Sequence, residues 1–168
     1  MRIFIGGIHA VGKSHLCSIF CLNNNWLHKS SSELIRDYKA QTWANDKQVT
    51  DISDNQEVLI TAVNEISNDL LLDGHFVLIN NKGTFSRIED EVFHRMNIDG
   101  IILIENTAEI IKKRFENRSK SKLDVNIDDF LKIENEHAKQ VSLKYNIPLI
   151  ILHSPNDEDF KKAIEMIK

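Results

Sequence analysis

Residues 2–14 read Arg2-Ile3-Phe4-Ile5-Gly6-Gly7-Ile8-His9-Ala10-Val11-Gly12-Lys13-Ser14, and the reading of this stretch decides the fold. An apolar run long enough for one strand passes through two glycines into a loop, and Gly12-Lys13-Ser14 opens a segment of helical period. The glycines let backbone N–H groups turn toward one centre, and the helix that follows adds the positive end of its dipole. Together they cradle phosphate oxygens. In such a loop Lys13 reaches the β- and γ-phosphates of a nucleoside triphosphate, and the Ser14 hydroxyl ligates Mg²⁺. The nucleotide contacts expected are Gly7, Ala10, Val11, Gly12, Lys13, Ser14 and His15, with ATP and Mg²⁺ as ligands. Ala10 stands where many such loops carry a third glycine, and His15 where a hydroxyl residue often touches the α-phosphate. The alanine is harmless at negative φ and costly at positive φ.

Outward from this loop, short apolar runs alternate with helical patterns. The runs are Arg2–Gly6, Trp26–Lys29, Leu70–Phe76, Gly100–Glu105 and Pro148–His153. Helices are predicted from Lys13, from about Ser32, from near Asp54, from Thr107, from about Ile127 and over Asp157–Lys168. The Ile and Leu runs lack in-out alternation, as expected of parallel strands covered on both faces. The fold class predicted is therefore α/β: a three-layer α/β/α arrangement around a five-stranded parallel sheet. Periodicity alone does not separate Leu70–Phe76 from the end of the helix before it, which carries Val58, Leu59, Ala62 and Ile66 on one side.

The 168 residues are 42% apolar and 27% charged, enough for one sizeable core, and two prolines and six glycines mark no internal boundary, so a single domain over 1–168 is expected. A net charge of −4 supplies no whole-molecule field for a nucleic-acid backbone or an anionic membrane, so neither partner is expected. No run approaches 18 apolar residues, and Cys17 and Cys21, four apart on a helical pattern, suit two buried small side chains better than a disulfide. A cytoplasmic location is the expectation. His28, His94, His137 and His153 share no metal-ligand spacing with the cysteines, so no zinc site is read from the sequence. Asn80-Asn81-Lys82-Gly83 lacks the aspartate of a guanine reader.

Three further segments carry a resemblance. Ser30-Ser31-Ser32-Glu33-Leu34-Ile35-Arg36, Leu70-Leu71-Leu72-Asp73-Gly74-His75, and the cationic stretch from Lys112 through Arg114 and Arg118 to Lys122 follow one another at the ends of predicted strands and helices. With the phosphate loop, they resemble the nucleoside-monophosphate kinases of the P-loop superfamily, most of all the archaeal-type and nuclear adenylate kinases with their Asp-x-His signature. The resemblance implies an acceptor-binding region at about 31–68, where Ser31 and Arg36 face the acceptor, and beyond it a third substrate-binding residue, His75, that positions a water or the phosphoryl group in transit. It also implies a short lid at about 114–126 whose Arg114 and Arg118 fold over the triphosphate. Asp73 would orient the water around Mg²⁺, making Ser14 and Asp73 the metal residues and Lys13, Asp73, Arg114 and Arg118 the catalytic ones. Asp54-Asn55-Gln56 resembles the start of the acceptor-region helix, with Gln56 at a base edge. This chain departs from the pattern at Ser119, Lys120 and Lys122, where relatives carry an aspartate and a further arginine; a lysine offers a point charge without the guanidinium fork. The activity implied is transfer of the γ-phosphoryl of ATP to a small phosphorylated acceptor, a nucleoside monophosphate. A hydroxyl acceptor would recruit Asp73 as base. The rival reading is an ATP-binding switch or weak ATPase acting through a protein partner.

Overall fold

β1 (Arg2–Gly6) leads into α1 (Lys13–Leu22), followed by β2 (Leu27–Ser30), α2 (Ser31–Thr42), α3 (Ile52–Glu65) and β3 (Leu70–Asp73). A small hairpin, β4 (Val77–Ile79) and β5 (Phe85–Arg87), precedes α4 (Asp90–Arg95) and β6 (Gly100–Glu105). The chain continues through α5 (Ala108–Arg118), α6 (Ile127–Tyr145), β7 (Leu149–His153) and α7 (Asp157–Ile167). The structure is a computed structural model that describes residues 1–42, 52–80, 83–118 and 125–167.

Five strands form one sheet in the order β2-β3-β1-β6-β7, and every neighbouring pair is parallel. Parallel neighbours need a crossover, which the intervening helices supply. The strands nearest the centre are the apolar runs without alternation: all four residues of β3 are buried, as are the first five of β6. α1 and α7 pack on one another and on the sheet, while α6 lies on β6 and β7 and against α4, giving the three-layer α/β/α arrangement. In register, Ile5 of β1 faces Asp73 of β3, and Gly6 faces Leu103 of β6. The carboxyl ends of the three central strands therefore lie side by side, where ligands bind in open α/β sheets.

All five predicted strands are present: Arg2–Gly6 and Gly100–Glu105 keep their bounds, and the other three shift at one or both ends by one to three residues. The largest shift is at Leu70–Phe76, where the strand stops at Asp73: the Gly74 amide still donates to the Ile5 carbonyl at 3.1 Å, but the Phe76 amide turns to Glu134; the strand also stands clear of α3, settling the division that periodicity left open. The hairpin and α4 are additions that sequence reading did not assign. Strands of three residues are too short to show a period. α4 nonetheless matters to the core: its Phe93 stacks on Phe76, just before β4, with centroids 4.6 Å apart, and Phe4 meets both edge-on at 5.1 Å. Both cysteines are free, Cys17 buried as expected but Cys21 only half-buried. Among the described residues no helix is long and apolar enough to cross a membrane.

α6 carries the next important side chain. Its N-terminus is capped by the Asn126 side chain, which accepts from the amides of Asp128 at 3.0 Å and Asp129 at 3.2 Å. Its buried stripe is Phe130, Glu134, His137, Ala138 and Val141, a helical face in which one position is an acid.

Candidate active site

The phosphate loop turns on three residues of positive φ: Gly7 at 140°, Ala10 at 64° and Gly12 at 117°. A Cβ at Gly7 would lie 2.5 Å from the Ile104 carbonyl oxygen, so only glycine fits there. Ala10 adopts the left-handed conformation, the costly case, at about 1 kcal/mol. Lys13 is only 7% exposed, and its Nζ donates to the carbonyls of Gly7 at 2.5 Å and Ile8 at 3.2 Å. Burial lowers its pKa from the ordinary lysine value, opposed by the nearby carboxylates of Glu134 and Asp73. Ser14 and His15 are exposed on the first turn of α1.

Arg114 of α5 reaches the same loop. Its guanidinium donates to the Val11 carbonyl at 2.7 Å and more weakly to that of Ala10 at 3.4 Å. It is thus positioned beside the loop. Arg118 ends α5, but its side chain, like Ser119, Lys120 and Lys122, lies outside the described residues.

Asp73, at the end of β3, is buried to 6% exposure and accepts a hydrogen bond from His28 Nε2 on β2 at 2.7 Å. The Ser31 hydroxyl donates to the Asp73 backbone carbonyl at 3.1 Å. Asp73, Ser31 and His75 line one cleft of about 360 Å³, together with His9, Ser30, Asn55 and Gln56 and an apolar wall that includes Phe4, Ile35, Leu59, Val92 and Met96. His75 and His9 lie ring against ring, centroids 4.2 Å apart. Burial holds His75 well below the ordinary histidine pKa, with Lys13 and His9 adding to the effect, so it is neutral at physiological pH. Its Nδ1 is buried with no hydrogen-bond partner among the described residues.

Two expected acceptor residues fare differently. Ser30 and Glu33 form a reciprocal cap on α2, with the Glu33 amide donating to Ser30 Oγ at 3.1 Å, and this fixes the helix that carries Ser31 into the cleft. Arg36, one turn on, does not join them: it is exposed, pairs with Asp37 at 3.2 Å and does not line the cleft. Part of the acceptor-binding region, residues 43–51, lies outside the described residues.

Sequence reading missed Glu134. Only 2% exposed, its carboxylate accepts from the amides of Gly7 at 3.1 Å, Phe76 at 2.9 Å and Val77 at 2.8 Å. Burial raises its pKa from 4.5 to about 7, against the pull of those amides and of Lys13. The available signal was a single acid inside the apolar stripe of α6, a pattern more often seen as a break in the face than as a reach into a site.

For Mg²⁺, the donors fit in kind: the Ser14 hydroxyl is exposed at the helix start, and Asp73, one of the residues lining the adjoining cleft, offers a carboxylate, both hard oxygen donors.

A phosphate loop at the end of a central parallel strand, a buried lysine within it and an aspartate on the next strand define a P-loop NTPase of three-layer α/β/α fold. Residues 6–130, most of the chain, match the AAA domain family, and the chain belongs to it. Comparison with curated proteins finds no match. Among solved structures, a gluconokinase from Sinorhizobium meliloti is similar at a TM-score of 0.56 and 10% identity, covering 99% of this chain and 90% of its own. A Janibacter sugar kinase matches at 0.56 and 10% identity, over 98% and 92%. An uncharacterized protein from Eubacterium ventriosum matches at 0.54 and 14% identity, over 99% and 98%. At these identities the likeness is one of fold.

Proposed function

We propose that this chain is an ATP-dependent phosphotransferase that moves the γ-phosphoryl group to a small acceptor held in the cleft beside Asp73. The observation that carries the reading is the shared wall. Asp73 lines the cleft and also lies close enough to Lys13 to raise its proton affinity, so donor and acceptor meet across one carboxylate. Lys13 leaves the carbonyls of Gly7 and Ile8 for the β/γ-phosphates, and Arg114 stands ready beside Val11 to neutralise charge on the group in transit. Mg²⁺, held by Ser14 with support from Asp73, would supply charge neutralisation between the β- and γ-phosphates.

The acceptor we assign from the sequence resemblance is a nucleoside monophosphate. Ser31, Asn55 and Gln56 offer hydrogen bonds, the apolar wall suits a flat base, and an ionised phosphate oxygen attacks without a general base. A hydroxyl acceptor is the second reading, favoured by the Asp73–His28 pair. There Asp73 takes the hydroxyl proton as the new P–O bond forms and the bond to the β-phosphate breaks, while His28 holds the carboxylate in place. The names of two structural neighbours, a gluconokinase and a sugar kinase, point the same way.

A coupled assay of ADP formation across nucleoside monophosphates and small polyols and sugar acids tests both. Acceleration by a monophosphate, together with binding of a compound joining two adenosines through five phosphates much more tightly than ATP, supports the first reading. Acceleration only by a hydroxyl compound supports the second. If no acceptor speeds ADP release, phosphotransfer fails and an ATP-binding switch or weak ATPase is the better account.

A further inference from the structure

The sequence spacing of cysteines and histidines offers no metal motif, yet the fold brings three side chains of metal-ligating type together. Cys17 comes from the buried side of α1, His28 from β2 and Asp73 from β3, and one sulfur, one ring nitrogen and one carboxylate oxygen all lie within 4.8 Å of one another. Cys17 is fully buried and Asp73 nearly so, so these are not surface groups that meet by chance. We propose that Cys17, His28 and Asp73 form a binding site for a thiophilic divalent cation, Zn²⁺ by its chemistry, separate from the Mg²⁺ position at Ser14 but sharing Asp73 with it.

The donor set selects the ion. A thiolate, an imidazole and a carboxylate suit Zn²⁺, whereas Mg²⁺ takes hard oxygen donors and dehydrates reluctantly. Thiolate and carboxylate together also match the charge of a divalent ion, and loading releases the thiol proton to solvent. In a tetrahedral zinc site with bonds of about 2.0–2.3 Å, donors stand roughly 3.3–3.8 Å apart. His28 Nε2 and Asp73 Oδ2, now 2.7 Å apart, therefore open slightly, while the sulfur, within 4.8 Å of both, has at most about an ångström to close. These are side-chain movements. Asp73 lines the cleft, which gives the ion its route and leaves a fourth position for water. Once bound, the ion holds the Asp73 carboxylate, so zinc and productive Mg·ATP turnover exclude one another; this consequence alone rests on the proposed phosphotransfer.

Titration of the nucleotide-free, reduced protein with Co²⁺ tests the site without reference to activity. One equivalent should produce a near-ultraviolet thiolate-to-cobalt charge-transfer band that Zn²⁺ abolishes. Cys17→Ser should remove the band and weaken Zn²⁺ binding, read by calorimetry, by roughly 100-fold or more; His28→Asn should weaken it through a second ligand, while Cys21→Ser and His153→Ala change nothing. No band in the wild-type protein, or a band that survives Cys17→Ser, overturns the site. In the turnover assay, stoichiometric Zn²⁺ in excess Mg²⁺ should inhibit the wild type and spare Cys17→Ser. A cobalt band without any zinc inhibition would uphold the site and overturn the role given to Asp73 in turnover.

Discussion

The phosphate loop and the cleft beside it meet at His9 and Asp73 but are made of different material. The loop is backbone chemistry: three residues at positive φ, and its own groups gripped from two helices, by Glu134 of α6 on the Gly7 amide and by Arg114 of α5 on the Val11 carbonyl. The cleft is side-chain chemistry, gathered from β1, α2, α3, β3, the hairpin and α4. The cleft is tied to α6 as well, through the Val77 amide on Glu134, but its shape depends on packing among elements that share little sequence proximity. A site whose donor half is fixed by backbone geometry and whose acceptor half is free to vary can change substrate without losing ATP.

Substitutions that strike one half and spare the other sharpen this contrast. The largest effect is expected at Lys13. Lys13→Ala should cut Mg·ATP affinity by roughly 100-fold or more, because it removes a buried cation and leaves Glu134 and Asp73 without their common counter-charge. Calorimetry with a non-hydrolysable analogue measures it, and equal affinity would break the donor assignment. Asp73→Asn should lower turnover by about 10²–10³-fold while ATP affinity changes little, since its charge matters most as charge develops on the phosphoryl group. An affinity loss as large as the rate loss would erase the distinction between the two halves.

Glu134 yields a pH effect of definite sign. Its folded pKa of about 7 stands above the ordinary 4.5, so the native state binds the extra proton, and the stability this confers is full below pH 4.5 and lost as pH rises through 7. The stability difference between wild type and Glu134→Gln should therefore shrink, by up to about 3 kcal/mol, between those two pH values and stay level above. Denaturant titrations of both proteins across this range check it; a difference that grows with pH would mean that the three amides, not burial, set the ionisation. The smallest effect is at Ala10. Ala10→Gly should raise stability by about 0.5 kcal/mol, a shift of 1–2 °C in Tm by calorimetry, because glycine relieves the left-handed strain but gives back part of it as chain entropy. A loss of stability would show that the Ala10 methyl packs usefully in the loop.

The same division explains what could be read from the sequence. The loop was legible because its function requires particular residues at particular spacings, and the sheet was legible because Leu70–Leu72 and Ile101–Ile104 lack alternation. The cleft was half legible. Ser31 and His75 reach it, and Asp73 stands at the strand end the resemblance implied, but Arg36 turns outward to Asp37 because the Ser30–Glu33 cap sets the phase of α2. The phase of a helix relative to a cleft follows from packing, which a local pattern does not encode. Glu134 and the Cys17–His28–Asp73 cluster were invisible for a related reason. Their partners lie 127 residues away for the Gly7 contact and 45 for the His28–Asp73 pair, and no spacing rule spans such distances.

The grip of Glu134 also makes the molecule self-reporting. Gly7, Phe76 and Val77 give their amide protons to one buried carboxylate rather than to the five-stranded ladder. Those three protons can exchange with solvent only when α6 lifts from the sheet or the carboxylate lets go, so they should exchange together, as one unit, and far more slowly than loop amides do. Their common exchange rate is a clock for the motion of a single helix, read from three points that lie far from it in sequence.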